Sequence, residues 1–322
     1  MAMCVQGFQM DNASGFIALP SFKRTRLATA VLEGLTADGE AVTTRYEVWR
    51  RLLHIWNTPK GRGLFRGEMP GAIQAQRVVK NLIRTHGLTS DPDYGRNVYR
   101  VLGLGDAPAE EVFALATPFG YVAHLSAMQR WGLTDRRPDA LHLVVPAAPA
   151  ARRLAEERMA EDRRQFPDAA KEENEVPLTN PRPPAILRGR KTVTVTAKEM
   201  GSWIRVRGGH TRLATVGQTF LDMLDRPDLC GGMAHVRDVW REHADIHLEE
   251  IAASIDDSGS PIVKVRAGYL LDELLGLGDD ARAAERIAGW LRFAQRGSSR
   301  VLDPSKPFAT DHSEKWMLSL NV

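Results

Sequence analysis

The amino-acid sequence predicts an α+β protein with a small N-terminal domain of helices and one hairpin, followed by a larger C-terminal domain of mixed strands and helices. Three observations support this fold class. The chain has 322 residues, which exceeds the usual size of one domain. Apolar residues recur at helical spacing through most of residues 21–86. Alternating, β-branched segments such as "KTVTVTAKE" indicate strands in the later part of the chain.

The composition is typical of a soluble protein with real cores, since 43% of the residues are apolar and 26% are charged. No stretch approaches the roughly 18 apolar residues of a membrane span. We expect residues 1–20 to form a flexible leader, which lacks the basic and apolar regions of a secretory signal. Cys4 and Cys230 define neither a disulfide framework nor a metal site. We therefore expect a cytoplasmic protein with no membrane association.

The first predicted domain covers residues 21–105. Its first helix lies in "SFKRTRLATAVLEGLTADG", where the apolar side chains of Leu27, Val31 and Leu35 fall on one face. Gly39 ends this pattern, because glycine favours the backbone conformations that follow a helix. The sequence therefore predicts a short amphipathic helix at the start of the domain.

The second predicted helix lies in "VTTRYEVWRRLLHIWN". Thr44 and Glu47 have the spacing of a capping box, in which each side chain satisfies a backbone N–H at the start of the helix. The apolar residues that follow repeat at helical spacing and predict one buried stripe: Tyr46, Trp49, Leu52, Leu53 and Trp56. A loop rich in Gly and Pro, "TPKGRGLFRGEMPG", leads to the next helix.

The third predicted helix, "GAIQAQRVVKNLIRTH", separates polar from apolar residues. At roughly 100° per residue, four polar side chains fall within an arc of about 80°, with Lys80 beside them. These four are Gln74, Arg77, Asn81 and Arg84. The opposite side carries the apolar residues and His86. We expect the polar strip to be exposed.

The chemistry of this strip favours nucleic acid. No acidic residue occurs between positions 71 and 86, whereas a helix selected only for solubility usually pairs Glu with Lys. Arg binds guanine through O6 and N7, and Asn and Gln bind adenine through N6 and N7. We predict that Gln74, Arg77, Asn81 and Arg84 read bases and that Lys80 contacts phosphate.

A hairpin is predicted next, because "GLTSDPDYGRNVYRVL" contains two short strands around a Pro-Asp-Tyr-Gly turn. The second and third predicted helices, followed by the hairpin, predict a winged helix-turn-helix domain. The third predicted helix is then the one that enters the major groove of DNA. Arg96 and Asn97 would then reach phosphates or the minor groove. Thr43, Arg45 and Tyr46, at the start of the supporting helix, are further candidates for contacts with the DNA backbone.

Charge is distributed unevenly along the chain. The net charge is +3, but residues 1–105 hold 14 Lys and Arg against 8 Asp and Glu, and the remaining residues hold 29 against 32. A basic first third suits a polyanion such as double-stranded DNA. A basic helix can also meet an acidic protein surface, so a winged-helix protein-interaction module is an open alternative.

The second predicted domain covers residues 106–322. Asp106 is placed to cap its first helix. The segment "DALHLVVPA" predicts a buried strand, and strands and helices alternate after it. We expect a polar insert at about 150–185 to form a solvated helix and then a loop. The last residues, "VLDPSKPFATDHSEKWMLSLNV", are expected to end in a docked strand.

Acidic and histidine side chains of the second domain were considered as metal ligands. His243 and His247 are one helical turn apart, but Ala244 stands where a zinc protease motif needs Glu. Asp222 and Asp225 belong to an acidic stretch that could hold a divalent cation, so a metal-dependent nuclease is the alternative function. Their apolar neighbours favour a packed helix instead. We predict no metal ligand and no cofactor.

Two further polar positions carry weak signals for catalysis. Ser126 lies near His124 but has no nucleophile-elbow sequence around it. His142 lies in an apolar strand, where a core or edge histidine is the simpler interpretation. We therefore predict no catalytic residue and no enzymatic activity.

Three segments resemble one protein family. "GYVAHLSAMQRWGLTDRRPDALHLVVP", "TFLDMLDRPDLCGGMAHVRDVW" and "AGYLLDELLGLG" are similar to the AbiEi family of type IV antitoxins, which are also described as transcriptional regulators of abortive-infection systems in viral defence. The resemblance covers roughly residues 110–290. The leader, the polar insert and the long loop before the third helix depart from the family pattern.

The resemblance implies a function for each domain. The winged helix would bind inverted repeats in operator DNA upstream of its own operon and repress transcription. The C-terminal domain would counter a nucleotidyltransferase-like toxin. The resemblance leaves the oligomeric state open between a dimer and monomers that bind DNA cooperatively.

Overall fold

The computed structural model is an α+β protein, as predicted. It describes residues 23–67, 69–168, 170, 174–295 and 300–322. The expected leader and Cys4 lie outside these residues. Within them, no helix has the length and apolar character needed to cross a membrane.

The N-terminal unit, residues 23–101, combines four helices with a small sheet. Its elements are α1 (Arg26–Ala37), β1 (Val42–Thr44), α2 (Arg45–Trp56), α3 (Pro59–Arg62), α4 (Ala72–Arg84), β2 (Leu88–Asp91) and β3 (Gly95–Val101). The strand order is β1-β3-β2, and both pairs are antiparallel. The helix, helix and hairpin order expected from the sequence is therefore present, with one additional short strand paired to the hairpin.

Local sequence explains where the first two long helices begin. The Thr25 hydroxyl accepts a hydrogen bond from Ala28 N at 3.2 Å, and the Thr44 hydroxyl accepts one from Glu47 N at 3.2 Å. Each of these N-caps stabilises its helix by about 1 kcal/mol. The predicted buried faces of both helices are confirmed, except that Trp56 is only half-buried.

A six-stranded sheet follows, with the order β6-β7-β5-β4-β9-β8. Its strands are β4 (Tyr121–Val122), β5 (Ala140–Pro146), β6 (Ile186–Leu187), β7 (Arg190–Ala197), β8 (Trp203–Arg205) and β9 (Arg212–Ala214). Two neighbour pairs, β5 with β7 and β4 with β9, are parallel, and the others are antiparallel. Strand β5 is buried along its whole length, as the apolar run predicts.

Three helices belong to this layer: α5 (Ala109–Ala116), α6 (His124–Trp131) and α7 (Ala148–Gln165). The prediction that Asp106 caps the first of them is wrong, because Pro108 occupies the N-cap position of α5. The Asp106 carboxylate instead lies 3.0 Å from Arg188 Nε. An ion pair with a residue distant in sequence has replaced the local cap.

The last part of the chain is mainly helical. It contains α8 (Val216–Asp225), α9 (Met233–His243), α10 (Leu248–Asp257), α11 (Pro261–Tyr269), α12 (Ala284–Trp290), β10 (His312–Ser313) and β11 (Leu318–Ser319). Three tryptophans, Trp240, Trp290 and Trp316, are fully buried in the core of these helices. The two final strands pair with each other, and Ser319 also bridges to Val301.

The polar insert does not behave as expected. Helix α7 is present, but Phe166, Ala170 and Val176 are buried in the same apolar cluster as α1, α2 and α4. The Tyr46 hydroxyl donates to the buried Asp162 carboxylate of α7, so the helix is also held by a polar contact. The insert therefore forms the expected helix and loop, and most of the helix is exposed or half-buried, but several of its apolar side chains are packed instead of solvated. The predicted boundary at residue 105 does not separate two independent cores.

Candidate nucleic-acid interface

Helix α4 is held against the rest of the N-terminal unit by one apolar stripe. The buried residues of the stripe are Ala75, Val78, Val79 and Leu82, whose spacing places them on one side of the helix. The helix packs on both α1 and α2. It ends where His86 adopts a left-handed backbone conformation with φ of 52°.

The opposite side of α4 is exposed. Its side chains are Ile73, Gln76, Arg77, Lys80, Ile83 and Arg84. No acidic residue occurs in this helix. Ile73 and Ile83 are 65% and 40% exposed, although both are apolar. The helix therefore presents cations, one amide and two large apolar groups on a single face.

Two of the predicted base-reading residues lie at the edge of this face. Gln74 and Asn81 are half-buried where α4 meets the start of α1. Asn81 Oδ1 accepts a hydrogen bond from Thr25 N at 3.1 Å, and its Nδ2 lies 3.4 Å from Lys23 O. Asn81 is therefore less exposed than expected, because its amide also ties α4 to α1. The exposed face is centred near Lys80.

The three residues near the start of α2 that were predicted to contact the DNA backbone differ in their exposure. Thr43 and Tyr46 are buried, so the expectation that they contact the DNA backbone is wrong. Burial, together with the hydrogen bond to Asp162, raises the pKa of Tyr46 well above its usual value. Arg45 is half-buried. Tyr46 therefore has a structural role between α2 and α7.

The hairpin carries its two predicted contact residues on the surface. Arg96 and Asn97 are exposed, and Asn97 has a φ of 75° at an irregularity in the pairing of β2 with β3. An asparagine tolerates this left-handed conformation better than most residues. The side chains are accessible, but the turn beside them is not free, as described next.

The turn between β2 and β3 is bound to the six-stranded sheet. Arg188, in the turn between β6 and β7, forms ion pairs with Asp91 at 2.5 Å and with Asp93. The Tyr94 hydroxyl lies 3.1 Å from the Thr117 hydroxyl. Burial raises the pKa of Asp91, but the bonds from Arg188 and from backbone N–H groups outweigh it and lower the pKa overall. The hairpin turn is thus clamped.

A groove of about 890 Å³ runs between the start of α1, the turn after α3 and the side of α4. Sequence reasoning missed this feature, although the run "KRTR" at 23–26 signals it. The cationic side chains that line it are Lys23, Arg24, Arg26, Arg66 and Arg77. Among the described residues, no acidic side chain lines the groove. We call it the α1–α4 groove.

The acidic residues considered for metal binding do not converge. Asp222 is buried and accepts a hydrogen bond from Gln218 Nε2 at 2.7 Å, whereas Asp225 and Asp228 are exposed. Burial raises the pKa of Asp222 to about 7. Across the described residues, no three His, Cys, Asp or Glu side chains are grouped to hold a metal ion. This arrangement gives the nuclease alternative no support.

The serine and histidines of the sheet form a buried polar cluster. The Ser126 hydroxyl accepts a hydrogen bond from His142 N at 3.0 Å and lies 3.3 Å from His142 Nδ1. His124 is buried, which lowers its pKa to about 4, and its Nδ1 lies 3.6 Å from Asp222 Oδ2. Ser126 of α6 therefore binds His142 of β5, and not His124, its neighbour in the sequence.

Comparison with known proteins found similarity to solved structures. No protein-family model matches the chain, and no curated protein matches it. A crystal structure of the RV2827C protein from Mycobacterium tuberculosis is similar over 93% of this chain and 94% of that chain, with 15% sequence identity and a TM-score of 0.40.

Proposed function

We propose that the N-terminal unit is a winged helix-turn-helix that binds double-stranded operator DNA, and that the protein is a transcriptional repressor of the AbiEi type. The observation that carries this proposal is the exposed face of α4, which has three cations and no acid. A DNA-reading helix needs this charge because the phosphates on both sides of the major groove are anionic. Helix α4 is the element that enters the groove.

The exposed side chains of α4 suit the edges of base pairs. Arg77 and Arg84 are proposed to bind guanine, and Gln76 takes the adenine-reading role predicted from the sequence for Gln74 and Asn81. Ile73 and Ile83 are placed to contact the methyl groups of thymine, which explains apolar side chains on an otherwise polar face. Lys80 contacts phosphate.

Inverted repeats in the operator would require two copies of the protein. In helix-turn-helix proteins the two recognition helices are about 34–36 Å apart, one turn of B-DNA. Two copies could meet this spacing as a dimer or as monomers bound side by side. The proposal is the same in both cases, because each copy reads one half-site.

The antitoxin part of the proposal rests on the family resemblance. Two of the segments that carry it touch each other in the fold: Arg136 donates to Gly231 O at 3.1 Å, and the Thr134 hydroxyl lies 3.0 Å from His235 Nε2. We propose that the C-terminal domain counters a nucleotidyltransferase-like toxin. A toxin gene beside this one, and rescue of growth when both are expressed, would test that role separately.

The DNA-binding role is tested with the full chain and its own upstream DNA in a gel-shift titration. Each bidentate contact between Arg and guanine contributes about 1–3 kcal/mol. Arg77→Ala combined with Arg84→Ala is therefore expected to weaken operator binding about 30- to 20,000-fold, at 1.4 kcal/mol per tenfold. Arg152→Ala with Arg153→Ala is the matched control, since both arginines are exposed on α7.

The control pair is expected to bind like the wild type, and both doubles should unfold at the wild-type temperature. Operator affinity within about twofold of wild type in the Arg77 and Arg84 double variant would contradict the proposal, because less than 0.5 kcal/mol would then come from α4. Absence of any duplex binding at low salt would instead favour an interaction module whose α4 meets an acidic protein.

A further inference from the structure

The clamped hairpin changes where a second DNA contact can lie. In a winged helix the hairpin is expected to reach the DNA backbone beside the recognition helix. Here the carboxylates at its turn are bound by Arg188, and Asp91 is completely buried. The six-stranded sheet therefore occupies the space at the tip of the hairpin. Apart from the exposed Arg96 and Asn97, contacts with phosphate outside the α4 face must come from elsewhere.

The α1–α4 groove has the composition of a phosphate site. Lys23, Arg26 and Arg66 are exposed, and they have no ion pair with any acidic residue that the structure describes. Arg24 is held by Thr85, to whose carbonyl its guanidinium donates at 2.9 Å, so its charge is fixed beside the groove. Arg77 belongs both to the groove and to the exposed face of α4.

The position of these cations opposes the stability of α1. Lys23, Arg24 and Arg26 lie at the start of α1, whose first turn has no acidic residue. Cations at this positive end of the helix dipole destabilise a helix. A charge pattern that costs local stability is typical of a binding surface. The pattern is explained if an anion occupies the groove.

We propose that the α1–α4 groove binds the phosphodiester backbone of duplex DNA next to the bases read by α4, and that it replaces the hairpin as the main second contact. This inference rests on the proposed function and assigns a new surface to it. The continuity of groove and recognition face through Arg77 favours one ligand for both. A duplex supplies phosphates at both places.

The test is a salt titration of DNA binding by the full chain. Each phosphate that is neutralised contributes about 0.9 to the slope of log K against log salt concentration. Lys23→Ala with Arg26→Ala and Arg66→Ala is expected to reduce the slope by about 2–3. Operator DNA and an unrelated duplex should lose affinity by about the same factor, because phosphate contacts carry no sequence information.

Three variants sharpen the comparison. Exchanging the three cations as Lys23→Arg, Arg26→Lys and Arg66→Lys should preserve the slope and shows that charge matters. Arg137→Ala, Lys191→Ala and Arg207→Ala together remove the same charge from exposed sites outside the N-terminal unit, and this triple should keep the slope. Arg96→Ala should change the slope by less than about 0.5, because the hairpin is not the main contact.

The outcomes separate this inference from the proposed function. If the wild type binds no duplex, the proposed function itself fails. If α4 variants lose operator binding while the alanine triple in the groove keeps the wild-type slope, only the groove assignment is overturned. A larger loss of slope for Arg96→Ala than for the alanine triple would restore the hairpin as the main contact. Thermal unfolding of every variant excludes loss of folding as the cause.

Discussion

Replacing Arg188 with Gln should release the hairpin turn and destabilise the protein. The Arg188 side chain is only 10% exposed, and the Asp91 side chain it binds at 2.5 Å is 0% exposed. Removing one partner of a buried ion pair costs about 3–5 kcal/mol. Two backbone N–H groups, of Asp93 and Tyr94, still donate to Asp91 at 3.0 Å. We therefore expect the free energy of unfolding to fall by about 2–4 kcal/mol, which is less than the maximum for a buried carboxylate that has no remaining hydrogen-bond donor.

Unfolding in urea measures this loss, and the matched control is Arg190→Gln. Arg190 pairs with Glu110, but the two side chains are 38% and 29% exposed, so the pair contributes less. We expect less than about 1 kcal/mol for the control. Gln at position 188 keeps a non-glycine residue at its φ of 49°, so backbone strain is unchanged. Amide exchange in β2 and β3 should rise only in the Arg188 variant.

The pH dependence gives an independent check. The pKa of Asp91 lies below its usual 3.8 in the folded protein, because the bonds from Arg188 and the backbone outweigh burial. Asp91 therefore contributes stability above that pH, and the contribution is lost as the pH falls through the lowered pKa. Arg188→Gln should reduce this loss of stability at acid pH. If the free energy of unfolding of Arg188→Gln is within about 0.5 kcal/mol of wild type, as for an ordinary surface substitution, Arg188 does not stabilise the hairpin turn.

Two further predictions concern side chains that the sequence placed in sites. Asn81→Ala should destabilise the protein by about 0.5–1.5 kcal/mol, through loss of its bonds to the start of α1, and leave operator affinity nearly unchanged; a tenfold affinity loss at wild-type stability would instead make Asn81 a base reader. Burial raises the pKa of Asp222 from 3.8 to about 7, so Asp222 lowers the free energy of unfolding as the pH rises between those values. The stability of Asp222→Asn relative to wild type should therefore increase over this range, and a flat difference in urea unfolding would exclude the raised pKa.

The helices whose signals are local were predictable. Helix α2 begins at Thr44 because its hydroxyl caps the helix, and both the cap and the apolar stripe are contained in a few neighbouring residues. Strand β5 was equally clear, since seven successive buried residues need no information from outside the segment. The α+β class follows from such local patterns.

The orientation of α4 was only partly predictable. Its apolar stripe fixes the buried side, but the side chains at the edge of the stripe depend on where α1 packs. Asn81 looked exposed by periodicity, and it is the carboxamide partner of Thr25 N instead. The cap at Asp106 failed for the same reason, because Arg188 is remote in sequence and binds its carboxylate. Long-range partners outweigh local preference at both positions.

The insert was hidden by its composition. Its apolar residues are sparse, and five of them pack against the N-terminal unit: Met159, Phe166, Ala170, Val176 and Leu178. The ring of Phe166 lies 4.8 Å from that of His54. From sequence alone, a polar segment with sparse apolar residues cannot be distinguished from a solvated loop, because the surface on which those residues pack is formed by distant parts of the chain. The buried Asp162 adds to this difficulty, since a carboxylate usually indicates solvent.

The packing of this insert also sets the order of events during protein synthesis. The core of the N-terminal unit includes Phe166, Ala170 and Val176, with Leu178 packed against it, so it remains incomplete when residue 105 has been made. At about 5–20 residues per second, the ribosome needs roughly another 4–15 s to reach residue 178. Until Phe166 has been made, the ring of His54 on α2 lacks the ring that packs against it. The nascent chain therefore carries its basic helix before it carries the segment that completes the fold around it.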